Sequence, residues 1–275
     1  MWCRFYTKDT KMEPLSTQIR LTFLGTGTSQ GVPLIGCNCA VCSSNDPRDA
    51  RLRTSAMVEV GSKRFIIDAG PDFRQQMLRE RAAHITAILL TPKHKDHIGG
   101  LDDVRALNFV DYPPIIHKVE IYGSADTCNC VRKDFDYAFA ANPYRGVPQM
   151  ELHEFGDELF EIEGVEIVPI RGSHSRFEVT GFRFGKLAYL TDFKEITDEE
   201  LAKLQGVEVL VVNALRFEKH DSHFSVEEAL RVIEAVAPKR AYLTHMSHEI
   251  GLYSEVNLQL PEGVELAYDG LKIEL

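Results

Sequence analysis

The sequence predicts an α/β protein, built as two mixed sheets with helices outside them. Three observations carry this expectation. Short strand-like apolar runs recur in both halves of the chain, segments with helical apolar spacing stand between them, and glycine or Asp-Gly turns close many of the runs.

Taken in order, "IRLTFLGTG" from Ile19 reads as a strand running into a glycine turn, and a long polar, Cys-rich loop follows. "SAMVEV" and "RFIIDAG", joined by a Gly-Ser turn, read as a hairpin. After Pro71 the apolar spacing becomes helical as far as Ala83. "ITAILLT" is a continuous apolar strand of the kind buried on both faces. It leads into "TPKHKDHIGG", after which "LDDVRALNFV" and then "GSADTCNCVRKDFDYAF" read as helical. In the second half "KVEIYG", "MELHEF", "VEIVPI", "TGFRFG", "LAYLTD", "GVEVLVVNAL" and "RAYLTH" are strands. "SVEEALRVIEAV" is a helix with Ser225 and Glu228 in a capping box, and "LAYDGLKIEL" is expected to close as a hairpin around Asp269-Gly270. Residues 1–18 read as a loosely attached extension, with Met12 as an alternative start, and residues 19–275 as one domain.

The 275 residues are 44% apolar, enough for a large core, and the formal net charge of −10 argues against a general nucleic-acid partner. A local basic pocket for a phosphate is compatible with that charge, and so is a homodimer. No apolar run approaches the roughly 20 residues of a membrane helix, and the N-terminus lacks the apolar stretch of a signal peptide. The expected location is therefore the cytoplasm. There six cysteines stay reduced, so the cluster Cys37, Cys39 and Cys42 in "GCNCAVC" points to metal rather than to disulfides. Cys3, Cys128 and Cys130 read as ordinary thiols.

His94, Asp96, His97, His174, Asp192 and His245 all fall just past strand ends or in loops. Imidazole and aspartate suit zinc, manganese or iron, and a catalytic zinc keeps three protein ligands and a water. A single histidine in such a place is usually a packing or surface residue, but four with two aspartates form a pattern.

"FLGTGTSQG", "FIIDAGPD", "TPKHKDHIGGLDD", "LTDF" and "LTHMSH" resemble, in order, the successive motifs of the metallo-β-lactamase superfamily. The resemblance spans nearly everything after residue 18. It implies an αββα sandwich with one or two metals at the edge of its sheets. By position, His94 and His174 would hold the first ion and Asp96, His97 and His245 the second, with Asp192 bridging. The family motif is T-H-x-H-x-D-H, and here Pro92 stands at its first histidine. Proline offers no side-chain donor, so the expectation is one firm and one weak catalytic ion, zinc or manganese. The C-x-C-x2-C spacing resembles the branch containing PhnP phosphodiesterases and PqqB. That branch implies a structural zinc on Cys37, Cys39, Cys42 and His248, a closed Cys₃His site.

In the same branch His223 matches a histidine that contacts substrate phosphate and can protonate the leaving group, and Asp96 is expected to be catalytic as well as a metal ligand. Arg171, Arg216, Lys93 and Lys95 are candidates to pair with phosphate oxygens, whereas His220, His84, His117 and His153 need only ordinary roles. The implied function is hydrolysis of a small phosphodiester, a cyclic one included, through a metal-bound hydroxide. tRNA processing fits less well, because the acidic chain shows no basic Gly/Pro-rich arm. The competing reading, favoured by Pro92, is a PqqB-like non-hydrolytic protein that keeps only the structural zinc.

Overall fold

The computed structural model describes residues 18–113 and 115–275. The expected extension lies outside the described residues except for Gln18. The first sheet takes β1 (Ile19–Gly25), β2 (Ser55–Val60), β3 (Lys63–Ile67), β4 (Ala87–Leu89), β5 (Val119–Gly123) and β6 (Met150–Glu154). The second takes β7 (Phe160–Ile162), β8 (Val165–His174), β9 (Phe177–Phe184), β10 (Leu187–Leu190), β11 (Val209–Asn213), β12 (Arg240–Thr244) and β13 (Val264–Leu266). The last strand, β14 (Lys272–Glu274), returns to pair with β1. Two seven-stranded sheets result, ordered β14-β1-β2-β3-β4-β5-β6 and β13-β12-β11-β10-β9-β8-β7.

In the first sheet β14, β1, β2 and β3 pair antiparallel and β3 to β6 parallel; in the second β7 to β10 pair antiparallel and β10 to β13 parallel. Three apolar layers follow from the side-chain alternation. Phe23, Phe65, Phe182, Phe184, Tyr189 and Tyr242 lie between the sheets. On the far side of the first sheet, Ile66, Ile88 and Ile121 meet Phe73 and Met77 of α1 (Phe73–Glu80). On the far side of the second, Leu190, Leu210 and Leu243 meet Ala229 and Ile233 of a helix over Val226–Val236. That helix begins at the expected capping box, with the Ser225 side chain accepting from Glu228 N–H and Glu228 reaching back. The αββα expectation holds. Among the described residues no helix is long and apolar enough to cross a membrane.

The C-terminal end differs from the expected hairpin. Strands β13 and β14 belong to different sheets, because the Asp269 carboxylate accepts from Thr26 Oγ1 at 2.8 Å and from Leu52 N–H at 2.9 Å. Those bonds hold the Asp269-Gly270 turn against the first sheet. The stretch from Leu101 is a 3₁₀ turn over Leu101–Val104 followed by a short helix over Arg105–Asn108. The three-residue β7 has too little pattern to be read from sequence.

Candidate metal centres

Contacts among residues that follow β3, β4, β10 and β12 place those strand ends at one edge of the sandwich. His97 Nε2 lies 3.3 Å from Asp96 Oδ2 and 3.0 Å from Asp192 Oδ2. His245 Nε2 lies 2.7 Å from Asp192 Oδ1 and 3.8 Å from Asp96 Oδ2. For comparison, two ligands of one tetrahedral zinc lie about 3.3 Å apart when metal–ligand bonds are near 2.0–2.1 Å. Despite these short distances, His97 Nε2, His245 Nε2 and Asp192 Oδ1 are buried without a hydrogen-bond partner among the described residues. Buried polar atoms are seldom left unpaired. Donor atoms that converge without bonding one another are what a cation requires, so the set Asp96, His97, Asp192 and His245 fits a divalent ion.

Electrostatics agree with that fit. Burial alone would raise the Asp192 carboxyl, but the charges of His245 and His97 hold it well below the usual range. Burial likewise opposes charge on His245, yet Asp192 and Asp96 push its pKa up to about 9. Asp96 is lowered by His97 and His245 against the same desolvation.

The backbone is arranged to present these groups. Asp68, Asp192 and His245 take left-handed φ values of 65°, 64° and 56° within two residues of the ends of their strands. That conformation costs roughly 1–2 kcal/mol for a non-glycine residue, so packing must hold it. Gly70 and Gly100 permit the close approach of two loops: a Cβ on Gly70 would sit 1.9 Å from Asp96 O, and one on Gly100 2.0 Å from Gly70 O. Asp68 sits beneath the site. It accepts from Thr91 N–H at 2.8 Å and Thr91 Oγ1 at 2.6 Å, and faces His97 Nδ1 at 2.7 Å. His97 can thus donate from Nδ1 to Asp68 and keep Nε2 for a metal, the usual carboxylate support of a ligand imidazole. Asp68, in "FIIDAGPD", is a residue of the centre that the sequence expectations leave without a role. The signal was an aspartate ending a buried strand.

The other half of the centre is poorer. His94, His174 and Asp192 bring one atom each within 4.8 Å of one another. His94 Nδ1 is 3.4 Å from Asp192 Oδ2, and His174 Nδ1 donates to Asp192 O at 3.1 Å, leaving Nε2 to face the centre. Burial lowers the His174 pKa despite Asp192, which favours the neutral ligand form. Pro92 adds no donor. His223 joins the same cluster, with Nε2 3.3 Å from Asp192 Oδ1 and its ring 4.5 Å from His174 and 4.8 Å from His245. Burial drives its pKa down to about 4 against the pull of Asp192.

Cys37, Cys39, Cys42 and His248 come together apart from this cluster. His248 Nδ1 is 3.5 Å from Cys37 Sγ and 3.3 Å from Cys39 Sγ. The corresponding edge of a tetrahedral zinc site is about 3.5 Å for bonds of 2.3 Å to sulfur and 2.0–2.1 Å to nitrogen. Hydrogen bonds from Cys42 N–H and from His248 lower the Cys39 pKa to about 6, so one thiolate is ready at neutral pH. Burial pushes Cys42 up to about 11, a cost that metal binding would reverse.

Most of the proposed phosphate partners are already occupied. Arg171 pairs with Asp157 and Glu178, Arg216 with Glu249, and Lys95 with Asp134. Lys93 pairs with Asp126 at 2.6 Å but stays next to His94. His84 and His117 both face Asp111, and His153 pairs with Glu120 while stacking on Tyr122. His220 packs beside His223 at 5.3 Å and shares Ser222 with it.

Comparison with known proteins bears on both centres. The profile of the Beta-lactamase superfamily domain matches residues 63–246. A curated octanoyltransferase of Porphyromonas gingivalis is 37% identical over 257 residues, which is 92% of this chain. The match covers 51% of that relative, so the chain spans about half its length. Zn(2+)-bound PqqB from Methylobacterium extorquens shares the fold, with a TM-score of 0.72 at 20% identity over 93% of this chain and all of that one. A diphosphatase from the PhnP family superposes with a TM-score of 0.87 at 43% identity, covering 94% of this chain and 97% of that one. The order of motifs, the sandwich and these matches agree: the chain belongs to the metallo-β-lactamase superfamily and, within it, to the PhnP family.

Proposed function

We propose that the chain is a metal-dependent phosphohydrolase acting on a small phosphodiester in a reducing compartment, where its thiols stay available for a structural zinc. The observation that carries this reading is the convergence of unpaired His97 Nε2, His245 Nε2 and Asp192 Oδ1, with His223 beside them. Asp96, His97, His245 and Asp192 would hold one ion firmly, and His94, His174 and Asp192 a weaker one. A bound divalent ion supplies a lowered pKa for water and takes up charge on phosphoryl oxygens. Asp96 has a side chain 14% exposed where Asp192 is 1% exposed, so it is the carboxylate placed to accept a proton from an attacking water. His223 points Nε2 into the centre, with Ser222 Oγ 3.0 Å from its Nδ1; burial lowers its pKa, and the negative charge of a bound phosphate would raise it again, so that His223 can donate to the leaving oxygen.

His223→Ala is expected to cost roughly 10²- to 10⁴-fold in turnover with the metal content unchanged. The loss should shrink for esters of good leaving groups such as p-nitrophenol. Equal losses for good and poor leaving groups would assign His223 to phosphate positioning instead.

The PhnP-family relative, a diphosphatase, favours a second reading in which the bond cleaved is a diphosphate linkage. Assaying one metal-loaded preparation against bis(p-nitrophenyl) phosphate, a cyclic nucleotide and a diphosphate diester separates the two readings. Acyl transfer is not carried over from the octanoyltransferase, of which this chain spans about half. A non-hydrolytic, PqqB-like protein remains the contrast, and no hydrolysis of any of these substrates by metal-replete protein would favour it.

A further inference from the structure

Arg51, just past the Cys-rich loop, is a buried cation whose partners are incomplete. No part of its side chain reaches solvent, and Nε, Nη1 and Nη2 have no hydrogen-bond partner among the described residues. Burying a charge in that state is costly, and buried charges are normally paired. Asp49 Oδ1 lies 3.5 Å from Nη2, beyond the roughly 2.7–2.9 Å of a charge-assisted hydrogen bond. The Asp49 carboxylate is committed elsewhere, accepting from Ser44 Oγ at 2.7 Å and from Tyr253 N–H at 2.8 Å. Asp269 is likewise held by Thr26 and Leu52.

The surroundings of Arg51 lead to the thiol cluster from two directions. Its backbone exchanges hydrogen bonds with Val32, from Val32 N–H to Arg51 O at 2.8 Å and from Arg51 N–H to Val32 O at 2.7 Å. Two residues on, Leu34 N–H donates to Cys42 Sγ at 3.3 Å. Through Asp49, Arg51 also adjoins Ser44, two residues past Cys42, and Tyr253, five past His248. Burial opposes charge on the guanidinium, and the groups that support it are Asp49, Asp269 and Cys42. Charge counting supplies the missing partner. Three thiolates, a neutral imidazole and a zinc ion together carry one excess negative charge. Arginine keeps its proton even when buried, and its fork of N–H groups needs acceptors.

We propose that Arg51 is the counter-cation of the Cys₃His cluster: it acts through Cys42, not as a ligand, and sets how tightly the structural ion is held. The proposal rests on the structural-zinc reading and adds a positioning residue to it. The unpaired donors of Arg51 and the excess charge of the loaded cluster answer one another.

Cobalt(II) can stand in for zinc at thiolate sites, where it absorbs in the near ultraviolet by sulfur-to-metal charge transfer. The His/Asp centre has no sulfur, so this band reports on the Cys₃His cluster alone. Full-length protein loaded with cobalt is challenged with graded EDTA, and the loss of the band gives the affinity. Arg51→Met, of similar length without the charge, should hold cobalt about tenfold to hundredfold more weakly, the range for lost partners of metal ligands. Its band should also move to longer wavelength, because a thiolate without a neighbouring cation gives up electron density more readily. Arg51→Lys, which keeps the charge, should retain most of the affinity and the band position of the parent. Should Arg51→Met not fold, Arg51→Gln replaces it and the lysine comparison stands. An equal loss in Arg51→Lys overturns the proposal, since it marks packing by the guanidinium rather than charge. A parent with the band, whose affinity is unchanged in the neutral variant, contradicts the counter-cation alone. A parent without the band contradicts the structural site itself, and the counter-cation with it.

Discussion

Asp192→Ala is expected to lower phosphohydrolase turnover by on the order of 10³-fold or more, because it removes the carboxylate common to both metal half-sites and with them the activated water. His94, His97, His223 and His245 all lie within 3.4 Å of this carboxylate. No neighbour can replace it, since Asp96 reaches only His97 and His245. The same change should release the catalytic ions while leaving the structural zinc in place, as the Cys₃His cluster shares no residue with the other. A variant that keeps its catalytic ions and loses less than tenfold in turnover would show that Asp192 does not bridge.

Stability should respond most to the other cluster. Cys39→Ser removes the thiolate favoured at neutral pH and leaves three ligands around a site built for four. That cluster ties the loop after β1 to the segment following His245, two regions more than 200 residues apart in sequence. Metal-binding free energy is partly folding free energy, so a loss of about 3 kcal/mol, or roughly 5–10 °C in melting temperature, is expected. Chelation of the parent should produce a similar fall. If Cys39→Ser melts with the parent and carries the same zinc, the cluster holds no structural ion.

Much of this was legible in the sequence because it is local. The capping box at Ser225, the buried run at β4 and the C-x-C-x2-C spacing each sit within a few residues. The candidate ligand set was proposed for a different reason: its members lie at or past the ends of strands, and the family's motif order suggests partners across the fold. What could not be read depends on distant contacts. Asp269 holds the final turn to Thr26 and Leu52, so β14 joins the first sheet, and no local pattern announces that. The left-handed backbone at Asp68, Asp192 and His245 is imposed by packing. The proposed phosphate partners Arg171, Arg216 and Lys95 are each paired with a carboxylate. Charge on a side chain is visible in sequence; the neighbour that neutralises it is not.

Pro92 ties the two centres to function, and a zinc titration of the metal-free protein, followed by both metal content and hydrolysis, tests it most directly. The parent should take up two tight equivalents per chain, one at the Cys₃His cluster and one at Asp96, His97, Asp192 and His245. A third should bind at least about tenfold more weakly, the size of effect expected when a metal site loses a supporting group. Pro92→His should tighten that third equivalent and raise hydrolysis in step with it. Three equally tight equivalents in the parent, or a single one with no hydrolysis, would contradict the account.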